Sequence, residues 1–257
     1  MVRYRIIPCL LLKNHGLVKT IKFSNPSYVG DPINIVRIFN DKEVDELVFL
    51  DISATIEKRE IPFHRISQIA EECFMPLGYG GGIRHLEDVK EILSLGVEKV
   101  IINTYAIENP TFIRKSADLV GSQSVVVSID VKRNFLGKYH VYTHGGSKNT
   151  GVDPVTHAVN MEAAGAGELL LNSMDRDGTM TGFDLDLIKR VTEAVNIPVV
   201  ACGGAREKID LVKAIKKGGA AAAAAGSMFV FHGKHRAVLI SYPNQEMIQT
   251  EFNALLP

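Results

Sequence analysis

RIIPCLLLKNHG, residues 5–16, and VVVSIDVKRN, residues 125–134, have the same build: a run apolar at nearly every position, then an abrupt turn to polar residues. A strand with one wet face alternates apolar and polar residues. A strand apolar throughout is buried on both faces, as in a parallel sheet covered by helices. Six more such runs occur, at ELVFLDI (46–52), MPLGYG (75–80), KVIINT (99–104), ELLLNSM (168–174), PVVACG (198–203) and AAAAAG (221–226). Helical patterns lie between them. HLEDVKEILSLG (85–96) puts Leu86, Val89, Ile92 and Leu93 on one face and stops at Gly96, and the stretches 183–195 and 208–219 behave likewise. Eight strands alternating with helices predict an α/β chain closed into a (β/α)8 TIM barrel rather than a doubly wound sheet. No Pro/Ser-rich linker interrupts it, so residues 1–257 read as one barrel domain.

Composition narrows the functional classes. Of 257 residues, 46% are hydrophobic and 23% charged, which supports a large core and argues against disorder. Lys plus Arg equals Asp plus Glu at 29 each, so nothing points to nucleic acid or an acidic membrane surface. Cys9, Cys73 and Cys202 show neither metal-ligand spacing nor a disulfide framework, and fit a reducing cytoplasm. No apolar run is long enough to span a bilayer, and no signal peptide is evident. No motif calls for a metal or an organic cofactor.

The two halves repeat. Asp51 in FLDIS matches Asp175 in NSMDRDG, 124 residues on; Gly82 in GYGGGI matches Gly204 in ACGGA, 122 on; Thr104 in INTYA matches Ser227 in AGSMF, 123 on. The shift predicts a duplicated half-barrel with one glycine-rich turn per half. It also carries the first strand onto the fifth, where Leu11 aligns with Asp130.

Glycine pairs between a strand and a helix let backbone N–H groups approach an anion. Gly81-Gly82 with Asn103-Thr104, and Gly203-Gly204 with Gly226-Ser227, each form a candidate phosphate grip at the C-terminal rim, where barrels of the phosphate-binding, ribulose-phosphate type carry such sites. Two grips suit a long ligand with a phosphate at each end; the alternative is that the glycines only permit tight turns. Asp130 ends an otherwise apolar strand, where a partly desolvated carboxylate acts as general acid or base. A cap, or a partner for Lys132, is the simpler reading of it. Asp51 and Asp175 also stand at strand ends, where holding a loop is sufficient reason for them. GGSKNTG (145–151) follows a hairpin, GKYHVYT, and reads as a loop able to close over the site, with His144 as a loop residue. Arg5, Glu46, Lys99 and Glu168 each start a strand, so they converge on the opposite mouth as a neutral ring. Stability is the usual meaning of residues there; a pore gate or partner site is the sharper one.

RIIPCL, GDP (30–32), DELVFLDI, GGGI, KVIINT, ENP (108–110), GSQSVVVSIDVKR, KNTG, MDRDGT and the glycines at 203–204 together closely resemble the cyclase subunit of imidazole glycerol phosphate synthase, an enzyme of histidine biosynthesis. The resemblance runs nearly end to end. It implies a half-barrel-duplicated fold, a substrate with two phosphates, a glutaminase subunit docked on the N-terminal face, and ammonia crossing the barrel past a ring matched here by Arg5, Glu46, Lys99 and Glu168. It also implies substrate contacts at Lys19 and, in MDRDGT, at Asp177 and Gly178. The family uses two strand-end aspartates for its cyclisation and lyase chemistry. The second matches Asp130; the first position is Leu11, which transfers no proton. Lys13 nearby is one candidate substitute. The threonine of the family's sixth strand is Asn172 here. The LLL run with LLNSMDRDGTMTG is similar to a divergent branch associated with amidation of sugars in bacterial surface polysaccharides, in which ammonia passes to a separate sugar amidotransferase that makes an acetamidino group.

The resemblance thus leaves three functions open: a synthase subunit that conducts ammonia with its parental cyclase chemistry impaired, a genuine cyclase working through Asp130, and a non-catalytic scaffold binding a phosphorylated small molecule. A related sugar-phosphate isomerase of the same barrel group is disfavoured by Leu11, since it too needs two carboxylates.

Overall fold

A computed structural model describes residues 4–14 and 16–255. Eight parallel strands form a closed ring: β1 (Arg5–Lys13), β2 (Leu47–Asp51), β3 (Leu77–Gly80), β4 (Lys99–Ile102), β5 (Val125–Arg133), β6 (Glu168–Ser173), β7 (Val199–Cys202) and β8 (Ala222–Ala225). Each pairs with the next, and β8 closes on β1 with Arg5 opposite Ala222 and Pro8 opposite Ala225. The (β/α)8 barrel expected from the alternating runs is the fold, and each run falls on its strand.

Side chains sort by the two-residue period of a strand. Ile6, Leu10, Leu47, Phe49, Leu77, Tyr79, Val125 and Val127 join the layer beneath the helices. Ile7, Cys9, Val48, Ile101, Val126, Leu170, Val200 and Ala224 form a separate cluster inside the barrel, with Leu50 packed on it. The inward positions of β3 are glycines. A Cβ on Gly78 would lie 3.3 Å from both Val48 and Ile101, so the bulk of those neighbours occupies the space it leaves.

The duplication extends to features the strand runs did not reveal. β1 folds back on Gly16–Ile21 with Leu11 opposite Val18, and β5 folds back on Tyr139–Thr143 with Asp130 opposite Tyr142. Leu11 and Asp130 therefore occupy the same place in the two halves. The first of these hairpins gains a further strand at Ser24–Gly30. A short hairpin, Phe231–His232 with Ala237–Val238, and a helix, Gln245–Ala254, follow β8. The Tyr242 hydroxyl lies 2.9 Å from both Ile6 O and Asp45 Oδ2, which share its one proton and fasten the segment after β8 to the barrel. Among the described residues no helix is long and apolar enough to cross a membrane.

Phe49 is 1% exposed and points into the layer under the helices. Phe49→Ala removes its packing and leaves a cavity, so urea unfolding should show a loss of about 3–5 kcal/mol.

Candidate functional site

The C-terminal ends of the strands surround a cavity of about 610 Å³. Leu11, Lys19 and Asp130 line it. So do Gly81, Gly82, Asn103 and Thr104 of the first grip, and Gly203, Gly204, Gly226 and Ser227 of the second. Asp177 and Gly178 complete the set of expected contacts.

The glycines are required by close approach. Gly81 has φ +130°, and a Cβ there would lie 2.6 Å from Asp51 O. Gly203 has φ +89°, and its Cβ would lie 2.6 Å from Asn172 Oδ1 and 2.7 Å from Ser173 O. Such contacts force a shift of the strand ends, so each turn is fixed by sterics as well as by φ. The grips are not equivalent. Thr104 Oγ1 accepts from the His144 N–H at 3.0 Å, whereas the Ser227 hydroxyl is buried with no partner among the described residues. Lys19 donates to Cys9 O at 3.1 Å, and a Cβ on Gly226 would overlap its Nζ. Only the second grip thus has a buried ammonium beside it.

Asp130 faces the cavity and not Lys132, whose ammonium lies over the Tyr142 ring. Asp130 accepts from Asn103 Nδ2 at 3.3 Å, and a hydrogen bond with the Ser128 side chain favours its charged form. Burial, with the negative charge of Asp177 adding to it, pushes this carboxyl up to about 7. It therefore exchanges a proton near neutral pH, as a general acid or base must. Across the cavity Leu11 offers only carbon. Burial also pushes Asp177 up, against the pull of Lys19 and of a hydrogen bond donated by Thr20 Oγ1 at 3.0 Å. That bond, with Lys22 N–H donating to Asp177 O at 2.9 Å, latches the Gly16–Ile21 hairpin over the second grip.

Several residues have roles that composition did not signal. Asn172, beside Asp130 on β6, is 7% exposed, and its carboxamide oxygen has no hydrogen-bond partner among the described residues. A buried polar atom left unpaired costs about 1–3 kcal/mol, and this one lies on the cavity wall. Cys9 and Cys202, far apart in sequence, meet on the cavity wall, because the strand between them presents alanine. A hydrogen bond between the thiols lowers Cys9, with Lys19 assisting, and raises Cys202. Asp51 and Asp175 hold loops. Asp51 Oδ1 accepts from the N–H groups of Ser53 and Ala54 at 3.0 Å and pairs with Arg59, while Asp175 accepts from the Arg133 N–H at 2.9 Å. His144 and Gly145 line the cavity, but most of 145–151 is tied back to the hairpin, with Thr150 Oγ1 donating to Val141 O at 2.8 Å.

At the other mouth Arg5, Glu46, Lys99 and Glu168 close into an alternating ring. Arg5 reaches Glu46 at 2.7 Å and also pairs with Glu168; Lys99 reaches Glu46 at 2.9 Å and Glu168 at 2.8 Å. Burial alone would raise the Glu168 carboxyl, but the hydrogen bonds and charges of Arg5 and Lys99 outweigh it and hold the group below its ordinary range. Among the described residues no cluster of three or more His, Cys, Asp or Glu is placed to hold a metal ion.

Residues 5–236 match the model of a family described as histidine biosynthesis protein. The chain is 54% identical over 244 residues to a protein of Pseudomonas aeruginosa PAO1 provisionally named an imidazole glycerol phosphate synthase subunit, covering 95% of this chain and 97% of that one. A Leptospira interrogans protein with the same provisional name is 51% identical over 250 residues, covering 96% and 97%. The Alkaliphilus metalliredigens protein named imidazole glycerol phosphate synthase subunit HisF is 46% identical over 232 residues, covering 90% and 92%.

The folded state holds the Asp130 proton more tightly than the unfolded chain, whose carboxyl has the ordinary value of 3.8. This group's contribution to stability therefore falls as pH rises from about 4 to about 7, by an amount on the order of a few kcal/mol. Asp130→Asn should raise the melting temperature relative to the parent at pH 8, and the gain should shrink toward pH 4. An equal gain at both pH values would show that the carboxyl does not carry the shift.

Proposed function

This chain belongs to the histidine biosynthesis protein family, and within it we propose a synthase subunit that receives ammonia from a glutaminase partner, passes it along the barrel axis, and no longer performs the parental cyclisation efficiently. The observation that carries this reading is an intact four-residue ring below a cavity in which Leu11 occupies the place of a proton-transferring carboxylate.

The glutaminase docks on the face where the ring lies. Ammonia released there meets alternating charges, then the apolar interior of Ile7, Val48, Val126 and Leu170. Such an interior favours neutral ammonia over ammonium, because stripping water from the ion costs far more. Transit requires one ion pair of the ring to open. In the cavity Asp130, shifted to about 7, is the remaining acid or base. Both grips remain available for a phosphorylated ligand, with Lys19, Asp177 and Gly178 beside the second.

Losing a positioned acid or base costs about 10²–10⁴ in rate, or roughly 3–5 kcal/mol of barrier. The nitrogen then goes to another acceptor. We take that acceptor to be a sugar of a bacterial surface polysaccharide, amidated by a separate amidotransferase in the cytoplasm; the LLL run with LLNSMDRDGTMTG supports this choice. The raised Asp130 carboxyl favours a second reading, a working cyclase that relies on this one group.

Two measurements separate these readings. With an ammonium salt as nitrogen source, imidazole glycerol phosphate formation should be at least about 10² slower than in a relative with both aspartates; a rate within about tenfold would restore the cyclase. Mixed with its glutaminase at micromolar concentration, the chain should form a complex that hydrolyses glutamine faster than the glutaminase alone, and failure to associate would end the conduit reading. In that complex Lys99→Ala leaves the two buried glutamates short of a cation. It should cost about 3–5 kcal/mol of stability and lower nitrogen delivered per glutamine hydrolysed.

A further inference from the structure

The cavity's two ends carry different cations. Around the first grip, Lys58 and Arg84 share the wall with Asp51, Glu57 and Glu108. At the second, the buried Lys19 ammonium lies directly against Gly226, with Asp177 and Asp130 also on the wall.

A cationic arm stands beside this end. The protein is neutral overall, yet no acidic residue occurs between Asp210 and Glu246. Within that interval the hairpin after β8 carries His232, Lys234, His235 and Arg236 in five residues. It begins four residues after Ser227, and Arg236 fixes it to the rim: its guanidinium stacks on Phe231 at 4.5 Å and donates to Gly178 O at 3.2 Å. His232, Lys234 and His235 are exposed. A second, independent sign of a ligand lies directly below. The Ser227 hydroxyl, on a residue 6% exposed, has no hydrogen-bond partner among the described residues although it lines the cavity.

We propose that the second grip receives the diphosphate of a diphosphate ester, not a single phosphate. The inner phosphate takes the N–H groups at Gly203-Gly204 and Gly226-Ser227, the Ser227 hydroxyl and the Lys19 ammonium. The outer phosphate takes Lys234, with His235 beside it. This deepens the proposed function by naming the ligand class; it rests on the second grip holding phosphate and is independent of the nitrogen route.

Titration calorimetry on the purified chain tests it with inorganic pyrophosphate and orthophosphate as probes. Pyrophosphate should bind about tenfold or more tighter, the worth of one added charge-assisted contact. The double variant Lys234→Ala/His235→Ala, at an exposed turn, should remove that advantage and leave orthophosphate affinity within twofold. Ser227→Ala should weaken both probes. Equal affinity for the two probes overturns the proposal, as does a tip variant that weakens both alike or neither, whatever the glutaminase assay returns. Uridine diphosphate and farnesyl diphosphate then distinguish a nucleotide from a lipid as the source, because only the matching ester should exceed pyrophosphate.

Discussion

The closed parallel sheet imposes one constraint from which the rest follows: every second residue of every strand must point at the axis. On β1 these residues are Arg5, Ile7, Cys9 and Leu11, spread over about 20 Å of strand at 3.3 Å per residue. Because the strands are parallel, each level gathers residues of like position. Charges at strand starts meet as a ring, residues in the middle meet as an apolar layer, and polar strand ends meet as a cavity floor. No loop has to be ordered to bring Arg5 to Glu168, 163 residues away. Closure of the sheet does it.

That geometry also explains how the two ends evolve separately. The ring is a closed electrostatic unit in which each cation serves two carboxylates. Removing one member leaves buried charge uncompensated, a cost that resists drift. Leu11, by contrast, sits where Leu50 and Ile101 already present apolar surface to the cavity. Leucine there satisfies packing with no buried charge to balance. A carboxylate in the same place would have to be desolvated beside those side chains, a cost leucine does not carry.

The sequence made the fold and the ring legible for one physical reason. A strand buried on both faces writes an unbroken apolar run, and a charge at its start is conspicuous. The grips were legible because glycine is required where Gly81 and Gly203 approach backbone. Other features left weaker traces. The Ser24–Gly30 strand is mostly exposed, so its residues carry no burial pattern. The meeting of Cys9 and Cys202 depends on the strand between them presenting alanine, which no spacing rule encodes. Asn172 reads as a polar substitution; that its amide oxygen has no partner among the described residues is a fact of three neighbouring strands. Asp51 and Asp175 sit at catalytic-looking addresses, and only their hydrogen bonds show that they brace loops.

Duplication gives a final handle on function, because each half is a control for the other. Positions that still agree, Asp51 with Asp175 and Gly82 with Gly204, serve backbone geometry that both halves need. Positions that have parted line the cavity. Leu11 faces Asp130 across the axis, so only one half retains a proton-transfer group at its first strand. Thr104 is consumed by the His144 N–H while Ser227 is left free, so only one half keeps an unengaged hydroxyl at its grip. Lys19 belongs to the first half by sequence yet lies against Gly226 in the second, which places the buried cation at one end alone. The cavity therefore has unlike ends. Symmetry inherited from the duplication has been kept where it builds the barrel and given up at the cavity-lining positions Leu11, Asp130, Thr104 and Ser227.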